Sequence, residues 1–234
     1  MHPHACYYFA KPDTTLAPST MNIQAAPVPR RKQNPAAVKQ NIIDVAIKEF
    51  SAKGFAGSSV NIIAEKTDTS KRMIYYYFGG KSELYRAAIE HACRKVLGRE
   101  SDNGIEQLNP VQALEALVSI PFRNHENLDC FARIVAGENL LSGEHVAQIE
   151  GFRELNEPAL LLVQDIYEKG VATGDFQPGL NPLIIRRFLN AIGTFNVFNQ
   201  HTFKAAFGYE LDGPEGQELL RQQMVKGLLA IVQR

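Results

Sequence analysis

Lys71-Arg72-Met73-Ile74-Tyr75-Tyr76-Tyr77 places two cations and three hydroxyl-bearing aromatics within seven residues. Cations neutralise phosphate, and planar groups with a polar tip suit the edges of bases. The chemistry on offer is recognition of a nucleic-acid duplex. Catalysis needs a different inventory. No activated nucleophile, paired carboxylates, phosphate-cradling Gly loop or metal triad stands at a usable spacing. Gly193-Thr194, inside an apolar stretch, reads as a packing point. The chain is read as a non-enzyme with no cofactor and no metal.

Those side chains need a helix to present them. Ile74 and Phe78 lie four residues apart and put an apolar stripe on one side, leaving Lys71, Arg72, Met73, Tyr75, Tyr76 and Tyr77 outward. Upstream, Val60, Ile63 and Ala64 mark a second short helix. Thr67-Asp68-Thr69-Ser70 separates the two, with Ser70 placed to cap the next helix by accepting a backbone N–H. This is the outline of a helix-turn-helix, whose second helix lies in the major groove. A solvated helical hairpin has the same spacing, so the flanking pattern decides between them.

Before the motif, Asn34-Pro35 opens a helix in which Ile42, Ile43, Ala46, Ile47 and Phe50 form a broad buried face. Gly54 ends it, Phe55 turns inward, and Ser58 or Ser59 caps the next helix. After the motif, Gly79-Gly80 breaks the chain. Lys81 to about Arg99 forms a long helix with Leu84, Ala87, Ala88, Cys93 and Leu97 inward. Further helices are expected over about 110–125, with Pro121 kinking it, and over about 127–141, 143–170, 181–198 and 214–232. The segment 173–179 is a loop. The fold class is all-α: an N-terminal three-helix bundle with a helix-turn-helix at 34–80, and a larger helical domain at 81–234. Residues 1–33, rich in proline, form a disordered tail ending in Arg30-Arg31-Lys32. That basic end serves equally well as a minor-groove arm or as a solvated linker.

Formal charge sums to zero over the 234 residues, yet its distribution is uneven. Residues 30–90 hold 11 Lys and Arg against 6 Asp and Glu, whereas 91–234 hold 13 against 18. A basic module is thus joined to an acidic one. No apolar run is long enough to span a membrane. Cys6, Cys93 and Cys130 have no metal-ligand or disulfide spacing, which fits a reducing cytoplasm. Cys130 near His125 reads as a thiol beside a surface imidazole, not as a metal pair.

The residues Ile43, Ala46, Phe50, Gly54-Phe55, Ser59-Val60, Ile63-Ala64, Ser70, Ile74-Tyr75, Tyr77-Phe78, Lys81 and Leu84 together resemble the TetR/AcrR family of bacterial transcriptional regulators. The resemblance implies a double-stranded DNA operator as partner, a homodimer, a small-molecule effector of unidentified chemistry, and no membrane. It assigns DNA contact to Ser59, Asn61, Ser70, Lys71, Arg72, Met73, Tyr75, Tyr76, Tyr77 and Lys81, with Lys81 holding phosphate. Two departures stand out. Asp68 occupies a turn position where the family has Gly, and Asp tolerates left-handed backbone better than most residues. Gly79-Gly80 replaces a polar cap.

The resemblance also places an effector pocket among the helices before the dimerising pair, with Phe131, Ile134, Asn139, Gln164, Phe195, Asn196 and Asn199 as lining. His125, Arg133 or Arg187 could meet an acidic ligand. The last two helices, apolar over much of their circumference, would pair with their copies through Phe188, Ile192, Leu220, Met224 and Leu228. The expected role is a ligand-released repressor on a palindrome. Activation by the same fold, or an architectural DNA-binding role without a ligand, remains open from sequence.

Overall fold

Asn34 caps the first helix by accepting the Ala36 N–H on its side chain at 3.1 Å, ahead of Pro35 in the first turn. The computed structural model describes residues 34–102, 104–123, 125–208, 211 and 213–233, excluding the side chains of 99–102, 123 and 125–128. The proline-rich tail, its Arg30-Arg31-Lys32 end, Cys6 and the His125 side chain lie outside the described residues.

Ten α-helices and no strands occur among the described residues. They are α1 (Pro35–Gly57), α2 (Val60–Lys66), α3 (Lys71–Phe78), α4 (Lys81–Asp102), α5 (Pro110–Arg123), α6 (His125–Leu140), α7 (Phe152–Thr173), α8 (Pro182–Phe198), α9 (Gln200–Phe207) and α10 (Pro214–Val232). Asn34–Arg234 packs as one unit.

Two cores hold it. The first gathers Ile42, Ala46 and Phe50 of α1, Ile63 of α2, Ile74 of α3, Leu84, Tyr85 and Ile89 of α4, and Ile134 of α6. The second joins Leu114 and Val118 of α5, Val163 and Ile166 of α7, Ile185 of α8, and Leu228 and Val232 of α10. Leu84, Tyr85 and Ile89 of α4 together with Ile134 of α6 join the helix-turn-helix end to the rest of the molecule. Phe176, in the 173–179 loop, is buried against Gly170, whose hydrogen leaves room for the ring.

Two elements differ from the sequence expectations. Residues 143–151 are not α-helical and hold only a 3-10 turn at Val146–Gln148: Ser142, Gly143 and Gly151 take φ of 59°, 75° and 70°, and α7 begins only at Phe152. The buried Glu138 carboxylate accepts the His145 and Val146 N–H groups, so those donors bond to a side chain instead of a helical carbonyl. Pro121 lies inside α5, where its ring packs near Gly193 of α8. The short helix α9 was not expected; its one apolar pair at helical spacing, Phe203 and Phe207, is too short a pattern to mark a helix, and none of its residues is buried.

Candidate nucleic-acid interface and ligand cavity

The turn between α2 and α3 is built from its own side chains. The Thr67 hydroxyl donates to the Ile63 carbonyl at 2.8 Å. Asp68 then takes the left-handed region at φ 49°, as its position in the turn required. Ser70 caps α3 by accepting the Met73 N–H at 3.2 Å. Ile74, fully buried, anchors the inner side of α3 and fixes which residues face out.

Lys71, Arg72, Met73, Tyr75 and Tyr76 are exposed, with Tyr76 at 78%. The Lys71 ammonium lies 5.8 Å from the Tyr75 ring centroid, so charge and aromatic surface share one patch. Asn61 of α2 and Ser70 are also exposed. Tyr77 departs from the outward set: it is half-buried and packs on the first core. Ser59 is half-buried at the start of α2, where its side chain makes no cap bond. Ser58 instead buries its hydroxyl and donates to the Gly54 carbonyl at 2.6 Å. Lys81 turns toward the end of α1. Its ammonium donates to the Ala56 carbonyl at 3.4 Å and sits 4.8 Å from the Phe55 ring centroid.

Glu49 was not expected to matter and is buried under this surface. Lys53 at 2.8 Å and Lys66 at 2.9 Å pair with its two oxygens, joining α1 to the end of α2. The Lys53 hydrogen bond, with Lys66 behind it, outweighs burial and holds the carboxyl below its ordinary value. The sequence signal was the i, i+4 spacing of Glu49 and Lys53.

The expected pocket residues divide between two places. Phe131 and Asn139 line a cavity of about 310 Å³ bounded by α4, α5, α6, α7 and α8. Phe195, Asn196 and Asn199 instead line an open apolar groove of about 380 Å³ between α8, α9 and α10, together with Ile192, Leu220 and Met224 from the expected dimer set. The Asn196 amide is committed to Gln217 of α10 at 2.9 Å. Two residues fall outside both. Ile134 is 1% exposed and belongs to the first core, and Gln164 is exposed and donates to Glu168 at 2.8 Å. Leu228 is likewise corrected. At 2% exposure it packs in the second core and offers no surface to a partner.

Of the cations considered for an acidic ligand, Arg133 is paired with Asp129 at 2.9 Å, and Arg187 is exposed and outside the lining of both spaces. The sequence reading passed over Arg186, Asn190 and Thr194, which line the inner cavity. Their i, i+4, i+8 spacing on α8 was the available signal. Cys93 and Asn156 also line it and hydrogen-bond to each other at 3.7 Å. Among the described residues no group of three His, Cys, Asp or Glu could hold a metal, and no helix is long and apolar enough to cross a membrane.

Comparison with known proteins agrees with this geometry. Residues 42–88 match the family described as bacterial regulatory proteins, tetR family, and residues 110–227 match a tetracyclin repressor-like C-terminal domain. The HTH-type transcriptional repressor NicS of Pseudomonas putida is 29% identical over 181 residues, spanning 77% of this chain and 85% of that protein. The HTH-type transcriptional repressor SCO4008 of Streptomyces coelicolor is 36% identical over 58 residues, covering 25% of this chain and 30% of that one. Two solved structures share the fold at low identity. KstR2, a ketosteroid transcriptional regulator of Mycobacterium tuberculosis, superposes with a TM-score of 0.60 at 20% identity, over 84% of this chain and 95% of its own. FadR of Bacillus subtilis, in complex with stearoyl-CoA, gives 0.62 at 17% identity, over 82% and 97%. Because the C-terminal match alone spans half of the chain and the N-terminal match covers the helix-turn-helix just described, this protein belongs to the TetR family of DNA-binding transcriptional regulators.

Proposed function

We propose that the protein is a ligand-released repressor that binds a palindromic operator as a homodimer, with residues 34–80 reading DNA and 81–234 binding the effector and the second copy. The observation that carries this reading is the double duty of α6. Phe131, Val135 and Asn139 of that helix line the inner cavity. Ile134 and Glu138 of the same helix are buried, Ile134 in the first core and Glu138 beneath the Phe55 and Tyr85 rings through His145. A ligand that shifts α6 therefore acts on the platform that orients α3. Occupancy lowers operator affinity by the ligand's differential binding to the two arrangements.

Dimerisation is supported by exposed apolar side chains on both helices, Ile184, Phe188 and Phe195 on α8 and Leu219 and Met224 on α10. An apolar face of this extent on a helix pair suits a matching helix pair. A two-fold pair of recognition helices reads half-sites about one DNA turn, roughly 34 Å, or more apart. The protein acts where DNA is, in the cytoplasm, without catalysis of its own. Titration of labelled DNA flanking its own gene, against random competitor at two salt concentrations, tests the reading. Binding that survives competitor is expected. Binding erased by competitor at moderate salt argues for an architectural protein instead.

A further inference from the structure

Granted the reading that the inner cavity is the effector site, its lining restricts the chemical class of the effector. Among the described residues no Asp or Glu lines it, so a cationic ligand would leave water without meeting a counter-charge. The one charged lining residue, Arg186, already has a partner in the structure. Recognition therefore falls to the neutral groups Asn139, Asn156, Asn190 and Thr194.

Three of these four have committed a donor. The Asn139 amide donates to the Val135 carbonyl at 2.9 Å, the Asn156 amide to the Phe152 carbonyl at 2.7 Å, and the Thr194 hydroxyl to the Asn190 carbonyl at 2.6 Å. The Asn156 oxygen also accepts the Cys93 thiol at 3.7 Å. The Asn190 side chain differs, because its amide has no hydrogen-bond partner among the described residues. A planar amide presents a donor and an acceptor side by side. Its complement is a group with an acceptor beside a donor. An open-chain secondary amide is trans and points its C=O and N–H apart, whereas a ring amide holds them cis and offers both to one side chain. A carboxylate offers acceptors alone and sets negative charge against the Asn190 oxygen. Phe131, Val96 and Leu97 supply an apolar wall for the body of a ring. At about 310 Å³ the space is at the small end of ligand cavities.

We propose that the effector is a small uncharged lactam, its cis C=O and N–H paired with the Asn190 amide and its ring laid against Phe131. The test is calorimetric binding of matched bicyclic probes to the purified full chain, together with release of operator DNA. The probes are 2-quinolone, N-methyl-2-quinolone, which lacks the donor, 2-naphthoate and 2-naphthylmethylamine. The lactam should bind about tenfold or more tightly than the other three and should release the operator. Asn190 is exposed and its amide holds nothing in place, so Asn190→Leu should leave the melting temperature unchanged and bring the ratio of lactam to N-methyl lactam close to one. Arg187→Gln, outside the lining, should leave that ratio unchanged. An N-methyl lactam, acid or amine that equals the lactam, a preference that survives Asn190→Leu, or no lactam bound at millimolar concentration overturns the assignment. Those outcomes leave the regulator reading standing. Failure of the probe-free protein to bind operator strikes that reading instead.

Discussion

Glu138 and His145 are joined twice. The Glu138 carboxylate accepts the His145 backbone N–H at 2.6 Å and lies 3.2 Å from its ring Nδ1, with both residues buried. It also accepts the Val146 N–H at 2.9 Å. The His145 ring then sits 4.3 Å from Phe55 at the end of α1 and 4.9 Å from Tyr85 of α4. Burial, reinforced by Glu138, pushes the Tyr85 hydroxyl up to about 12, so it stays a neutral donor.

Removing that acceptor should be costly. Glu138→Ala leaves two backbone N–H groups without their partner and is expected to cost about 3 kcal/mol in thermal or urea unfolding. Glu138→Gln keeps one oxygen acceptor and should cost less. If the node links α6 to the DNA-reading helices, Glu138→Gln should also shrink the effector-induced loss of operator affinity, measured by anisotropy.

On the recognition helix, neighbouring tyrosines should behave differently. Tyr76→Ala, at an exposed position, should weaken operator binding with the melting temperature unchanged. Tyr77→Ala, at a half-buried one, should lower stability by about 1–2 kcal/mol. Lys71→Ala should weaken binding to every sequence and reduce the salt slope by about 0.9 for each phosphate that the ammonium neutralises. An unchanged slope would place Lys71 away from phosphate.

Glu49 predicts an acid sensitivity of the same region. Its folded-state carboxyl is held below the ordinary value, so its contribution is present above the unfolded carboxylate range. It disappears as pH falls through the depressed folded value. Glu49→Gln should destabilise the protein at neutral pH by about 2 kcal/mol and flatten the acidic limb of a stability-versus-pH profile.

Gly170 tests packing alone. A Cβ there would stand 2.1 Å from a Phe176 ring carbon. Gly170→Ala should therefore cost about 2 kcal/mol through overpacking, and Gly170→Ala combined with Phe176→Leu should recover part of it in chemical unfolding.

The exposed face of α8 and α10 predicts the assembly state. Phe188→Asp or Met224→Asp should convert a dimer to a monomer in sedimentation. Leu228→Asp should instead unfold the chain, because Leu228 is core. A wild-type monomer at micromolar concentration would overturn the dimer.

Much of this protein is determined within a few residues of chain. Asn34-Pro35, the Gly54 break, the Asp68 turn and the Ser70 cap set the first four helices, because caps and left-handed positions act over four or five residues and leave a readable signature. The family resemblance rides on the same local spacing. What lies beyond it was decided by packing between distant elements. On α6, α8 and α10 apolar residues fall on more than one side, so spacing alone does not mark which of them is covered. Ile134 and Leu228 therefore became core, while Phe188 and Phe195 stayed out. The break at 143–151 depends on where the Glu138 carboxylate is buried, and the burial of Glu49 depends on Lys66 arriving from another helix. The cavity exists only because five helices leave a gap between them, and which polar side chains line that gap is a property of their packing.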